Sequence, residues 1–318
     1  MNSDKKISHG LDYLVYETRQ KLILIKKSDK TTLNISMIGK IDHLSLDYSN
    51  ILLSSGSRLF INEIINPNNL TFFDFEKEIT NVRSEFDSVI IFSGDDVFVM
   101  GCNSYSRISQ IEVEHLFSPV YFYSNIVAIS CGLSHCVFID REGITRGNGN
   151  SNTGSLGRTE FLRLDSAILE TEGIQMKDVA CGDNFTILLS KEGKVYSSGS
   201  NICGQLGIGN NESLYSFTPI GLIIPTDKFK ICCGSFHVLV LSENKLLGWG
   251  SNYLSQLSHP DRNYILSPSL IEIENIIVDV YAAPLSTLVL DEIGNIWICG
   301  SNEFTNNFNK LTKTQLVI

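Results

Sequence analysis

A Cys-Gly dipeptide occurs three times in this sequence, near side chains that could do chemistry. The three copies are Cys131-Gly132, Cys181-Gly182 and Cys233-Gly234. A histidine follows two of them, at His135 and His237, and an acid, Asp183, directly follows the other. A thiol beside an imidazole can act as a nucleophile, and the same groups with a carboxylate can bind a metal ion.

The three cysteines occupy one position of a repeat, which is typical of core packing. Three identical catalytic thiols would be redundant, and the neighbours Cys232 and Cys233 point to opposite faces of a strand, so they do not form a metal pair. The sequence contains no Cys-x-x-Cys, Walker or paired-carboxylate motif. We therefore predict no cofactor, no metal site and no enzymatic activity.

The repeat is defined by a glycine that ends the second apolar run of each copy. Successive copies are 50, 51 and 50 residues apart, at Gly149, Gly199, Gly250 and Gly300. Within a copy, an apolar run precedes a tight turn and an alternating run follows, as in ILLSKEGKVYSS at 187–198. This pattern predicts a β-hairpin.

The hairpin turns need residues that adopt a positive φ angle. The four copies supply Gly143, Gly193, Asn244 and Gly294. Glycine has no Cβ, and asparagine is the best substitute at such positions. The four copies therefore agree at the turn position, where the backbone requires a positive φ angle.

Weaker hairpins precede these copies, with turns near Gln20, Gly56 and Gly94. Seven all-β units that cannot bury a face alone predict a seven-bladed propeller. We expect one domain over 1–318, with clear repeats at about 127–318 and degenerate blades at about 11–126. The C-terminal KLTKTQLVI at 310–318 has strand character, so we expect it to pair into the blade containing residues 11–27 and close the ring.

Composition limits the class of protein and its partners. The formal net charge is -10 and the basic residues are scattered, so direct nucleic-acid binding is not expected. A basic partner fits better near the acidic run at 74–96. The absence of a signal peptide or an apolar span predicts an intracellular protein, cytoplasmic or nuclear, that is not bound to a membrane.

Two segments, ACGDNFTILLSKEGKVYSSGSNICGQLG at 180–207 and CCGSFHVLVLSENKLLGWGSNYLSQL at 232–257, carry a family resemblance. They resemble the repeat of the regulator of chromosome condensation family, which has Cys-Gly, a nearby His, Trp-Gly-x-Asn and Gly-Gln-Leu-Gly. The resemblance covers about residues 127–303. It implies a seven-bladed propeller with four antiparallel strands per blade.

The resemblance also implies what the protein does. It favours an adaptor or regulatory subunit, related to chromatin or to translation and tRNA modification. The partner would be a small GTPase, a histone-modifying enzyme or a small zinc protein, bound by a monomeric propeller in a hetero-complex. The alternative is guanine-nucleotide exchange on a Ran-like GTPase, although the regular spacing after Gly149 leaves no room for an inserted wedge.

His135, His237 and Asp183 are the candidate binding residues, because the matching loop contacts the GTPase in the family's exchange factor. Each histidine could instead be a hydrogen-bonding residue of a blade. Phe185 and Ser286 replace the histidine in the other copies. Leu133 and Ser235 replace the acid. Trp249 is expected to pack between blades. The asparagines at 201, 252 and 302 share one repeat position and are expected to form hydrogen bonds within loops.

Overall fold

The structure is a computed structural model of an all-β chain. It describes the backbone of residues 7–9, 13–17, 21–26, 32–36, 41–46, 50–63, 70–109, 115–158, 162–225, 227–259, 261–301 and 312–314. Side chains are described in these ranges except at 7–36, 46, 50, 62–63, 70, 162–167 and 312–314. The one helix among the described residues, a 3-10 turn at Ser104–Ser106, is far too short to cross a membrane.

The chain divides into two compact units. Unit 1 comprises Met1–Ser104 and Ile111–Ile126, and unit 2 comprises Tyr105–Gln110 and Val127–Ile318. The first sheet of unit 1 contains β1 (Ile7–His9), β2 (Tyr13–Glu17), β3 (Lys21–Lys26) and β4 (Thr32–Ser36). The second contains β5 (His43–Leu46), β6 (Asn50–Ser55), β7 (Arg58–Glu63) and β8 (Leu70–Asp74). The third contains β9 (Ile79–Glu85), β10 (Ser88–Ser93), β11 (Asp96–Cys102) and β12 (His115–Ser124).

The sheets of unit 2 have the same antiparallel order, with consecutive strands as neighbours. They are β13 (Ile126–Cys131), β14 (His135–Asp140), β15 (Thr145–Gly149) and β16 (Leu162–Ile168); then β17 (Met176–Cys181), β18 (Phe185–Ser190), β19 (Lys194–Gly199) and β20 (Leu214–Ile223). The last two are β21 (Phe229–Cys233), β22 (His237–Ser242), β23 (Lys245–Ser251) and β24 (Tyr264–Ile271); then β25 (Ile277–Ala283), β26 (Ser286–Asp291), β27 (Ile296–Gly300) and β28 (Thr312–Thr314).

The repeated hairpins have the turns that the sequence predicts. The backbone φ angle is 87° at Gly143, 85° at Gly193, 68° at Asn244 and 83° at Gly294. The upstream turns at Gly56 and Gly94 also have positive φ angles, 56° and 60°. Gln20 lies outside the described residues. A positive φ at the turn lets the two-stranded hairpin keep its right-handed twist.

The glycines at the C-terminal ends of β15, β19 and β27, and Gly250 one residue before the end of β23, have a different role. A Cβ on Gly199 would lie 2.5 Å from Asn184 O and 2.7 Å from Phe185 Cα, and φ there is 115°. Gly149, Gly250 and Gly300 are crowded by the equivalent carbonyl of the preceding strand in the same way. Only glycine lets the two backbones approach so closely.

The core of unit 2 lies between the faces of neighbouring sheets. Most residues of the second and third strands are buried, as in FTILLS of β18, in which every residue is buried. Trp249, which is fully buried, packs with Leu206 and Phe185 of the preceding sheet. Apolar runs therefore form inner strands here, whereas the outer strands alternate exposed and half-buried residues.

The predicted closed ring of seven blades is wrong. β28 pairs with β27 of its own sheet and β1 pairs with β2, so no described sheet joins the C-terminal strand to residues 11–27. When β28 pairs with β27, the loop that is closed is much shorter than the one that pairing with residues 11–27 would close. The shorter loop costs less conformational entropy. The single domain over 1–318 stays a prediction.

Candidate protein-docking face

Two sets of loops in unit 2 emerge at the same edge of each sheet. Because strand direction alternates, the loop after the first strand and the loop after the third strand leave a sheet at one end. We call this end the loop face, formed by residues 132–134, 182–184, 234–236 and 284–285 together with 150–158, 200–213, 252–259 and 261–263. The Cys-Gly dipeptides lead into the first set.

A row of backbone hydrogen bonds joins neighbouring sheets across the loop face. Leu133 N donates to Asp183 O at 3.2 Å, Asp183 N donates to Ser235 O at 3.2 Å, and Ser235 N donates to Pro284 O at 3.0 Å. These four residues occupy one repeat position in their sheets. The loops are therefore held in a fixed order.

Arg107 holds the first of these loops, although none of the sequence motifs described above includes it. The side chain is fully buried, and Nη1 donates to the carbonyls of Gly132 and Leu133. Placing GCNSYSRI at 101–108 beneath GSNICGQL at 199–206 puts Arg107 at the position of Gln205. That alignment extends the repeat by one copy and could have identified Arg107.

The two histidines lie inside the protein. His135 is fully buried, with Nε2 2.9 Å from Thr186 Oγ1 of the next sheet. His237 is also fully buried, with Nε2 3.3 Å from Thr287 Oγ1. The geometry therefore favours the alternative role, hydrogen bonding between blades, because neither imidazole is accessible to a partner.

Burial keeps both imidazoles neutral. Desolvation and the positive charge of Arg107 lower the pKa of His135 to about 3. Desolvation lowers the pKa of His237 to about 4. Each threonine hydroxyl donates to a main-chain carbonyl, Thr186 to Ser155 at 2.7 Å and Thr287 to Gln256 at 2.6 Å. The threonine oxygen is then free to accept from Nε2–H, which fixes the tautomer.

Asp183 lies half-buried on the loop face. Burial raises the pKa of its carboxyl, and a hydrogen bond from Ser235 opposes that rise. The backbone of Asp183 is fixed on both sides by the row of hydrogen bonds described above. Its role in binding stays a prediction.

The cysteines at these repeat positions are not joined in disulfides. Cys131 and Cys181 are buried, Cys232 and Cys233 are half-buried, and no disulfide is present among the described cysteines. No group of three His, Cys, Asp or Glu side chains in the described ranges could hold a metal ion. The glycine after each cysteine provides space for the following ring, since a Cβ on Gly132, Gly182 or Gly234 would collide with His135, Phe185 or His237.

Asparagine and tryptophan side chains secure the longer loops. Asn201 Nδ2 donates to the carbonyls of Asn210 and Glu212, and its Oδ1 accepts from Leu206 N. Asn252 makes the equivalent bonds in the next sheet. Trp249 Nε1 donates to Gln205 O at 3.0 Å, from one sheet to the loop of its neighbour. Asn302 lies outside the described residues.

The loop face combines this fixed backbone with exposed apolar side chains. Leu133 is 51% exposed, Ile202 64% and Tyr253 69%. The hairpin turns at the opposite edge carry mostly exposed charges, with Ile144 and Ile293 as exposed apolar residues among them. The exposed charged residues there are Arg141, Glu142, Lys191, Glu192, Glu243, Lys245 and Glu292. Exposed apolar groups on a rigid surface are typical of protein-binding sites.

Known proteins show the same repeat. Sequence profiles of the Regulator of chromosome condensation (RCC1) repeat match residues 176–205 and 192–241. The E3 ubiquitin-protein ligase HERC2 of Mus musculus is 26% identical over 235 residues, which cover 69% of this chain and 5% of HERC2. The chain thus corresponds to a small part of that relative.

Solved structures show the same fold. The crystal structure of human WBSCR16 matches with a TM-score of 0.73 at 15% identity, covering 90% of this chain and 84% of that one. Prp20p from Saccharomyces cerevisiae matches with a TM-score of 0.67 at 18% identity, covering 84% and 77%. Residues 176–241 therefore carry the regulator of chromosome condensation repeat, and the chain shares the propeller fold of these solved structures.

Proposed function

We propose that this chain is a non-enzymatic propeller that acts as an adaptor or regulatory subunit and binds a protein partner through the loop face. The observation that carries the proposal is the set of exposed apolar residues Leu133, Ile202 and Tyr253 on loops held by inter-sheet hydrogen bonds. Little entropy is lost when such a surface binds, because the backbone is already ordered.

The partner classes follow from the relatives. The Prp20p structure is reported with binding properties to Gsp1p and histones. HERC2 is a ligase of which this chain matches 5%, which supports an accessory role for the shared region. A small GTPase or a histone-associated protein is therefore the first partner to seek. The small zinc protein, the monomeric state and the intracellular location stay predictions.

Affinity purification from the native cells tests this proposal. We expect a protein partner to co-purify with the intact chain and to be lost from an Ile202→Ser, Tyr253→Ser double variant. Ile293→Ser is the matched control, because Ile293 is 68% exposed at the opposite edge. Equal retention by the two variants would contradict a role for the loop face.

Nucleotide exchange is the alternative activity, and Asp183 on the loop face is the observation that favours it. An exchange factor that accelerates release a thousandfold must lower the barrier by about 4 kcal/mol. Release of a fluorescent guanine nucleotide from a Ran-like GTPase, measured at micromolar protein, separates the two functions. The adaptor function predicts an unchanged rate, whereas acceleration that Asp183→Asn abolishes would establish exchange.

A further inference from the structure

The outer strand of the third sheet in unit 1 exposes two large aromatic side chains. Phe117 is 82% exposed and Tyr121 is 56% exposed, both on β12. The ring of His115 lies 4.7 Å from that of Phe117. Isolated exposed apolar residues are common, but two large exposed aromatics on one strand are typical of a binding surface.

Further rings extend this surface inward. Tyr121 meets Phe98 edge-on with centroids 6.0 Å apart, and Phe98 meets Phe75 edge-on at 5.0 Å. Both inner rings are half-buried, so they hold Tyr121 in place. We call Phe75, Phe98, Phe117 and Tyr121 the aromatic strip.

Negative charge surrounds the inner end of the aromatic strip. Lys77 Nζ lies 2.8 Å from Asp96 Oδ2, and Asp96 lies two positions from Phe98 on β11, on the same face. The hydrogen bond and charge of Asp96, together with the charges of Asp95 and Glu76, raise the pKa of Lys77. Three acids thus surround one lysine, which leaves local negative charge.

Pro119 limits how a partner can bind here. It lies in the middle of β12, the edge strand of its sheet. Proline has no N–H, so it interrupts the donors that an added strand would need. A partner must therefore bind through side-chain contacts with the rings and acids.

We propose that the aromatic strip is a docking surface for an extended, Lys- or Arg-bearing segment of a partner protein. Phe117 and Tyr121 are four residues apart on β12, whose pairing with β11 shifts register between them. The two rings are therefore separated by at most roughly 13 Å along the strand, which about four extended residues of a partner can follow. The partner's cations would lie over the rings and beside the acids. The chain already makes such a contact nearby, where Arg58 lies 4.7 Å above the Phe72 ring.

Fluorescence anisotropy with a labelled decapeptide of alternating Arg and Gly tests this proposal on the full chain. We expect saturable binding that a Glu-Gly decapeptide does not show. Phe117→Ser with Tyr121→Ser should weaken binding at least fivefold, and Glu76→Gln about twofold. The matched control is Tyr215→Ser, because Tyr215 is 53% exposed on the outer strand β20. This variant should bind the Arg-Gly peptide with the affinity of the unmodified chain.

Three results would overturn the proposal. They are no saturable binding of the Arg-Gly peptide, an equal loss in Tyr215→Ser and the strip variant, or tighter binding of a ten-residue oligothymidylate than of the peptide. The last would indicate base stacking on the rings instead. Far-ultraviolet circular dichroism melting of each variant checks that the fold is retained.

Discussion

His135 Nε2 lies 2.9 Å from Thr186 Oγ1, which belongs to the next sheet, and Thr186 in turn donates to Ser155 O. The same relationship recurs one repeat later, between His237 and Thr287. The histidine of the Cys-Gly loop thereby joins two blades, although sequence alone also permits a surface role.

Removing the hydroxyl of Thr186 should destabilise unit 2. Thr186→Val leaves the buried Nε2–H of His135 without its acceptor, and an unsatisfied buried donor costs about 1–3 kcal/mol. Urea unfolding measures the change. Thr80→Val, at an exposed position in β9, is the control and should change the free energy of unfolding by less than about 0.5 kcal/mol. An equal change in the free energy of unfolding for Thr186→Val and Thr80→Val would show that the inter-sheet hydrogen bond does not contribute to stability.

Acid should destabilise the protein through the two histidines. Their folded-state pKa values, about 3 and about 4, lie below the ordinary value of 6.5, so the unfolded state binds protons first as pH falls. The two neutral histidines contribute their full stabilisation above pH 6.5. As the pH falls from 6.5 towards the folded-state pKa values, the free energy of unfolding decreases by about 1.4 kcal/mol per pH unit for each histidine. His135→Phe, which copies Phe185 of the next repeat, should reduce this slope between pH 6.5 and 4.5. An unchanged slope would contradict the buried neutral imidazole.

Arg107 should contribute more to stability than an exposed arginine. Arg107→Gln, which copies Gln205, removes the donor to Gly132 O and Leu133 O. The buried carbonyl of Gly132 and the partly buried carbonyl of Leu133 would lose their partner. We expect the free energy of unfolding to fall by about 2–4 kcal/mol in chemical unfolding. Arg58→Gln removes an exposed ion pair with Asp74, which solvent screens, and should cost less than Arg107→Gln. A reversed order would refute this role for Arg107.

Gly199 should tolerate no side chain. Gly199→Ala combines a φ angle of 115° with a contact of 2.5 Å to Asn184 O, so we expect a loss above about 3 kcal/mol. Gly173→Ala shares the positive φ, 76°, but has nothing within 4 Å of the new Cβ, and should cost about 1 kcal/mol. Thermal unfolding of the pair separates crowding from backbone strain. Similar melting temperatures would mean that the strands can move apart.

The sequence predicts the hairpins well because their signals are local. Turn residues such as Gly193 and Asn244, and buried runs such as that of β18, need only neighbouring residues to be recognised. Contacts between sheets are not local. The C-terminal strand has the same residues whichever edge it joins, so its pairing with β27 could not be derived from its pattern.

The candidate site shows the same limit. Asp183 was identified by a motif, but the burial of His135 depends on a threonine 51 residues further along the chain. Ile202 and Tyr253 carry no motif, and only the structure places them exposed on the loop face. Variants that test the loop face therefore change Ile202 and Tyr253 rather than the Cys-Gly dipeptides.

The most direct measurement of the central claim is site-specific photo-crosslinking in the native cells. A benzoylphenylalanine at position 202 tests the loop face, and the same group at position 293 tests the opposite edge, where exposure is similar. We predict a discrete protein adduct from position 202 and none from position 293. An adduct from position 293 alone, or none from either position, would contradict docking through the loop face.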